Sequence, residues 1–437
     1  MRVDFIKTLH CPFSGSPFRL SSVSDGDAVI HNAIITSEAG DFPIIDGILR
    51  LKADEYRSIL NHHIRSGHPT RALLAAMEIP SYGRGGTAAR LVDGTANKLG
   101  LGVVAKCMTT LKRPMYRALT DATESLSGTV RKLNSKSWAD WQVYRFSMPA
   151  FLPTYPVLHL IESDKPVLDF GSGVGHAAFL MSRRTPGPNI TCADFEFTSL
   201  YLARKFFVKE GNFVCVDGNY LLPFESEYFS FVFSTDVVHT IDSKLSLCQE
   251  FQRILSKKGA IVLPHLHNKL SPIPFGKPLT PEGYSTLFEG MERRIIPEDW
   301  MVDQFICNDS LDLGKDWTQK ELHDAIKGLS LISTKDISLL RDYRGLWKLH
   351  TERMLNPILN PAYQVSGQAG RWNLEKGVPD SYLGKVSSGR DTYLPNRQSL
   401  SLTSLDASAI LALKASDPAT FSELARKFII VDVPERF

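Results

Sequence analysis

Between residues 165 and 265 the chain alternates short apolar runs with helix-length segments of mixed polarity. The runs are Val167–Phe170, Ile190–Ala193, Phe213–Val216, Phe229–Ser234 and Ala260–Leu263. Nearly continuous apolar runs of this length suit strands buried on both faces, and their spacing predicts a parallel sheet wound by right-handed crossovers. The flanks read differently. Residues 1–54 are turn-rich and close on "DFPIIDGILRLK", where Asp46-Gly47 between two apolar runs predicts a hairpin, so a small β unit is expected there. Residues 55–150 change to three- and four-residue apolar spacing in "RALLAAMEI" and "MYRALTDATESLSGTVRKL", interrupted by the glycine-rich "SYGRGGTAARLVDG", which predicts a helical connector or lid.

Beyond the core the periodicity fades. Residues 269–394 mix Pro, Gly and aromatic residues and are expected to form an insertion that serves as the substrate region. The tail, 395–437, recovers order: "SLDASAILALKA" and "TFSELARKF" predict two short helices with polar N-caps, followed by an apolar strand "IIVDV". Helix, helix, strand resembles part of a winged-helix module. Alternate residues Ile429, Val431 and Val433 give that strand an apolar face, so a cap packed on the core is favoured over an edge that recruits a peptide.

Composition bounds the partners. A chain of 437 residues with 43% hydrophobic content predicts two or three compact units with a real core. Lys and Arg number 50 against 47 Asp and Glu, a balance that gives no strong nucleic-acid signal. Six scattered cysteines, Cys11, Cys107, Cys192, Cys215, Cys248 and Cys307, read as reduced thiols, and no segment has the length of a membrane span. A cytoplasmic protein is expected.

The chemistry concentrates at "VLDFGSGVGHAAFLMSRR". Asp169, Gly171, Ser172, Gly173 and Gly175 lie between a predicted strand and a predicted helix, at the edge where open α/β sheets bind ligands. The dinucleotide spacing G-x-G-x-x-G fails because His176 stands where its third glycine belongs, and no Lys follows to make a phosphate loop. An acid two places before the first glycine opposes a pyrophosphate and suits a ligand carrying an ammonium and a sulfonium.

This D-x-G-x-G-x-G stretch resembles motif I of the class I S-adenosylmethionine-dependent methyltransferases, and further resemblances follow in order. Asp194 stands where that family places an acid on the ribose hydroxyls, with Phe195 beside it for adenine. Asp217-Gly218 matches the adenine-edge position, "LPFESEYFSFVFS" resembles the approach to the fourth strand and ends at Ser234, and "CQEFQRILSKKGAIVL" resembles the fifth-strand unit. The resemblance spans about residues 140–268. It implies a doubly wound Rossmann-like methyltransferase sheet in residues 151–268. It also implies S-adenosylmethionine as cofactor, S-adenosylhomocysteine as product, and methyl transfer to O or N of a small-molecule or carrier- or peptide-linked acceptor. A catalytically silent scaffold and an RNA-modifying enzyme are the alternatives.

The first 54 residues are similar to the small zinc-ribbon activator domains that accompany some methyltransferases, but only Cys11 remains of the expected ligands. Ser14, Ile35 and Glu38 stand near the other positions. Tetrahedral zinc needs four ligands, so no metal is expected. Methyl transfer needs alignment more than a base, yet a protic acceptor benefits from one. His239 and Asp236 after the fourth strand, and His265 and His267 after the fifth, are the candidates, with His239 foremost. Metal ligation by His265 and His267 is disfavoured because no carboxylate lies near them in sequence. Asp236 is also a candidate helix cap. Trp138, Trp141 and Tyr144 are expected to pack in the core rather than to form a lid.

Overall fold

The computed structural model describes residues 1–20, 28–78, 123–133, 136–272, 274–325, 328–377 and 393–437. The glycine-rich stretch 81–94 and Cys107 lie outside the described residues.

The predicted strands form, with ends shifted by up to a few residues: β5 (Val167–Phe170), β6 (Ile190–Asp194), β7 (Asn212–Cys215), β8 (Phe229–Phe233) and β9 (Leu255–Leu266). They run parallel in the order β7-β6-β5-β8-β9. Side chains alternate between two cores. Val167, Phe231, Phe233 and Val262 face one layer, whereas Leu168, Phe170, Val232 and Ile261 face the other, as the two-residue period of a strand requires. The winding reverses between β5 and β8, so the loops leaving these two strands diverge and open a crevice at their C-terminal ends.

The sheet does not stop where the resemblance does. Residues 1–54 contribute β1 (Arg19–Leu20), β2 (Ala33–Ser37), β3 (Gly40–Ile45) and β4 (Ile48–Arg50), and β4 pairs in parallel with β7. On the other side β10 (Glu292–Pro297) and β12 (Leu329–Thr334) add antiparallel strands beyond β9. One eleven-stranded sheet therefore joins segments on both sides of the expected boundaries at 54 and 268. The predicted hairpin at Asp46-Gly47 forms with both residues at positive φ, 47° and 75°, the conformation a tight two-residue hairpin turn needs. Pairing β4 to β7 also carries Lys52 across to the end of β6, where it touches the site.

Residues after 300 form smaller sheets: β11 (Ser310–Asp312) with β13 (Asp342–Arg344), β14 (Pro357–Leu359) with β18 (Ile430–Asp432), and β15 (Tyr363–Gln368), β16 (Arg371–Lys376) and β17 (Arg397–Leu400) together. The two expected tail helices form over Ala407–Ser416 and Pro418–Arg426, each started by an aspartate side chain that accepts a backbone N–H. The tail strand is paired, and Ile429 through Val433 are buried on both faces rather than alternately. Asp432 accepts Arg183 Nε at 2.7 Å and the backbone N–H groups of Leu355 and Asn356, which ties the tail to the helix behind the glycine loop. Trp141 and Tyr144, on the helix Lys136–Tyr144, pack against the core as expected. Among the described residues no helix is long and apolar enough to cross a membrane.

Candidate active site

The glycine loop leaves β5 with Gly171, Gly173 and Gly175 all at positive φ, and the helix His176–Ser182 starts directly behind it. Each glycine is needed for a different reason. A β-carbon at Gly171 would lie 2.3 Å from Val237 Cγ2, and one at Gly175 would lie 2.9 Å from Ala203 Cβ. At Gly173 a β-carbon meets nothing within 4 Å, so this is the glycine that borders open space. Gly218, after β7, is a glycine because the Phe170 ring lies against it, with 2.8 Å to an added β-carbon.

Asp169 is buried beneath the loop and accepts Ala178 N–H at 3.0 Å. Burial pushes its carboxyl up to about 7, with the nearby Asp194 charge adding to the effect and the Ala178 bond opposing it. Ser172 is buried, with its N–H on Ala193 O. Asp194, at the end of β6, spans the loop: one carboxylate oxygen accepts Gly173 N–H and the other accepts Glu196 N–H, each at 2.8 Å. Asp217, half-buried at the end of β7, accepts both the backbone and the side-chain N–H of Asn219. Phe195 carries the Lys52 ammonium 3.1 Å above its ring centroid. Burial lowers the Lys52 pKa.

Ser234, just after β8, is wholly buried, and neither its hydroxyl nor that of Thr235 has a hydrogen-bond partner. The chain then turns at Asp236, which adopts a left-handed φ of 63°, and enters a short turn of helix at Val238–Thr240. On the neighbouring strand β9, His265 is likewise left-handed at 55°. Two non-glycine residues held there on adjacent strand ends store strain of a kind that persists at functional sites. The effect is to bring four sequence-predicted side chains together. The His239 and His267 rings pack at a tilt with centroids 4.4 Å apart, and the His265 ring centroid lies 5.1 Å from that of His267. Asp236 Oδ1 lies 3.7 Å from His239 Nε2 and 3.9 Å from His267 Nε2.

Two further residues of this cluster carry no spacing signal. Glu298, buried, lies 2.9 Å from His265 Nδ1, and it accepts the His265 backbone N–H and the Ser330 hydroxyl. Gly328 leaves room for it, because a β-carbon there would lie 2.4 Å from Glu298 Oε2. Arg145, also buried, sits 3.5 Å from Asp236 Oδ2 and over the Trp141 ring. Glu298 comes from the 269–394 segment and Arg145 from the connector, and neither stretch has a motif that announces them.

The four histidine and acid candidates are not equivalent. Burial depresses His239 to about 4, and both ring nitrogens lack partners, so it stays neutral near physiological pH. His267 is also lowered, by burial and then by His265. Burial opposes charging of His265 too, but the Glu298 carboxylate reverses the balance and its pKa rises. Burial thus opposes protonation of His239, the foremost expected base, whereas Glu298 favours it at His265. His176, where a dinucleotide loop would have glycine, is a core residue: its Nε2 lies 2.8 Å from Gln142 O and burial lowers it to about 3.

Residues 168–263 match a family model described as "Methyltransferase domain". The chain carries a methyltransferase domain. The region matched runs from the start of the glycine loop to the strand that bears His265, so it includes both halves of the crevice. No curated protein shows a significant sequence match to the chain. Solved structures similar to it include YcgJ from Bacillus subtilis, at 15% identity and TM-score 0.30, covering 42% of this chain and 98% of that one. A TehB-like S-adenosylmethionine-dependent methyltransferase from Corynebacterium glutamicum aligns at 15% identity and TM-score 0.32, covering 42% and 88%. A complex of the Haloferax volcanii Trm112 methyltransferase activator with a methyltransferase aligns at 15% identity and TM-score 0.33, covering 48% and 98%. Scores this low carry no weight for the site.

The residues of the crevice fit the S-adenosylmethionine that the sequence resemblance implies. Gly173 borders open space, the acids Asp194 and Asp217 stand at the ends of β6 and β7, and the orphaned hydroxyls of Ser234 and Thr235 lie at the end of β8. Among the described residues, Asp236, His265 and His267 place their ligand atoms within 4.8 Å of one another, so tertiary structure supplies the carboxylate missing from the local sequence. Among the residues expected near zinc-ribbon ligand positions, the Ser14 hydroxyl bonds that of Ser16 at 2.8 Å and Glu38 N–H donates to Ser16.

Proposed function

We propose that the protein transfers a methyl group from S-adenosylmethionine to an oxygen or nitrogen of a small-molecule or carrier-linked acceptor seated over Asp236, His239, His265 and His267. One observation carries this reading. Val237 packs on Gly171, so the loop bearing Asp236 and His239 lies directly against the glycine loop, and the polar cluster borders the cofactor crevice. A protic acceptor there meets imidazole nitrogens and a carboxylate, where loss of its proton is assisted. In this reading Asp194 takes the ribose hydroxyls, Asp217 the adenine edge, and the backbone at Gly173 the methionine portion. The chain's own contribution to rate is alignment of the two reactants and removal of the acceptor's proton.

A non-catalytic binding role is the rival, and one contact favours it: the Lys52 ammonium covers the Phe195 ring. Isothermal titration of the full chain with S-adenosylhomocysteine tests the cofactor half, and absence of binding at high micromolar ligand overturns it. Methyl turnover on any acceptor, followed with methyl-labelled cofactor, eliminates the rival.

A further inference from the structure

The polar cluster holds more ligand-type atoms than one proton transfer needs. Asp236 divides its carboxylate: Oδ2 faces the Arg145 guanidinium at 3.5 Å, while Oδ1 faces His239 Nε2 and His267 Nε2. His265 is held by Glu298 through Nδ1. With the proton on Nδ1, its Nε2 keeps a lone pair able to ligate. Glu298 thus stands to His265 as the outer carboxylate stands to a metal-bound histidine, fixing both tautomer and ring orientation. His239 is wholly enclosed and neither ring nitrogen makes a hydrogen bond, a cost that persists unless something ligates it. Edges between ligands of a tetrahedral ion with bonds of about 2.0–2.1 Å are roughly 3.3 Å, so the Oδ1 to Nε2 separations seen here need only a small contraction.

We propose that Asp236, His265 and His267, joined by His239, bind a divalent first-row transition ion, and that the acceptor of methyl transfer ligates this ion through a hydroxyl oxygen. Imidazole with one carboxylate is a set suited to zinc, iron(II) or cobalt(II) rather than to magnesium or calcium, which prefer all-oxygen shells. The acceptor half rests on the methyltransferase reading; the ion site does not. Coordination lowers the pKa of the bound hydroxyl, its proton leaves to bulk water, and the oxygen retains the electron pair as a nucleophile. Arg145 offsets the second charge of Asp236 and Glu298, and keeps the site from being strongly anionic when the ion is absent.

The test uses the full chain after dialysis against a chelator, titrated with Co2+ alone and followed by its visible ligand-field absorption, with S-adenosylhomocysteine binding measured separately. Expected are one Co2+ per chain, displacement by Zn2+, and a change in the spectrum when catechol is added as a hydroxyl-bearing chelating probe. His267→Ala should abolish the spectrum, and Glu298→Gln, which keeps the shape of the positioning residue, should weaken Co2+ by about 10–100-fold. S-adenosylhomocysteine should bind both variants normally, which shows that they are folded. No Co2+ spectrum from the wild type at micromolar metal, or a His267→Ala protein that titrates like wild type, overturns the ion site. A spectrum indifferent to catechol overturns the acceptor half. Loss of S-adenosylhomocysteine binding in wild type with Co2+ intact would instead sink the methyltransferase reading and leave the ion site standing.

Discussion

The ammonium of Lys52 lies 3.1 Å from the centroid of the Phe195 ring, a contact between the segments that follow β4 and β6, brought together because β4 pairs with β7. Phe195 is the ring expected to face adenine, so Lys52 competes with the cofactor for one of its faces. Lys52→Met removes a partly desolvated cation–π contact of about 0.5–2 kcal/mol. S-adenosylhomocysteine should then bind more tightly by that amount in calorimetric titration. Unchanged affinity would place adenine on the opposite face of the ring.

The three loop glycines separate packing from binding. Gly171→Ala combines a left-handed backbone with a collision against Val237 and should cost about 2–4 kcal/mol of stability. Gly173→Ala meets open space, so its cost is the backbone penalty of about 1–2 kcal/mol. Thermal melts with and without S-adenosylhomocysteine distinguish them: the first lowers the melting point of the free protein most, and the second loses most of the ligand-induced rise.

Asp194 holds Gly173 and Glu196 at once, so it shapes the loop besides its proposed ribose contact. Asp194→Ala should weaken S-adenosylhomocysteine by about 1.5–3 kcal/mol, the worth of hydrogen bonds to a charged acceptor. A variant that titrates like wild type would reduce this aspartate to a turn residue.

The raised carboxyl of Asp169 predicts a pH dependence. Its folded value of about 7 exceeds the ordinary 3.8, so its contribution to stability is full below 3.8 and is lost as pH rises through 7. Asp169→Asn should flatten the urea stability profile across that window. A cationic cofactor beside Asp169 should favour its charged form. Binding near neutral pH should therefore release protons, seen as a dependence of the calorimetric heat on the buffer's ionisation enthalpy.

The tail is tested at its buried ion pair. Asp432→Ala leaves Arg183 without its partner and two backbone N–H groups unmade, a loss of about 3 kcal/mol. Deleting residues 398–437 should cause aggregation, because it also strips β14 of its partner strand and exposes the buried run from Ile429 to Val433. A truncated protein that stays folded and binds cofactor would revive the recognition-module reading.

The five parallel strands, the glycine loop and the order of acids after them were legible in sequence because local pattern specifies them. A strand buried on both faces must be apolar throughout, and a loop that turns sharply into a helix must use glycine where φ is positive. The convergence of His239, His265 and His267 was partly legible, since each follows a strand whose end lies at the crevice. Sequence could not place β1–β4, β10 and β12 in the same sheet, because strand pairing across more than a hundred residues leaves no local trace. For the same reason Glu298, Arg145 and Lys52 were invisible: each reaches the site from a distant element, and a charge acquires its role only from what it is buried against. The division of Asp236 between Arg145 and two imidazoles, and the burial that lowers His239 while Glu298 raises His265, belong to the tertiary structure alone. Residue type fixes which protons can move; burial and neighbours fix at what pH they do.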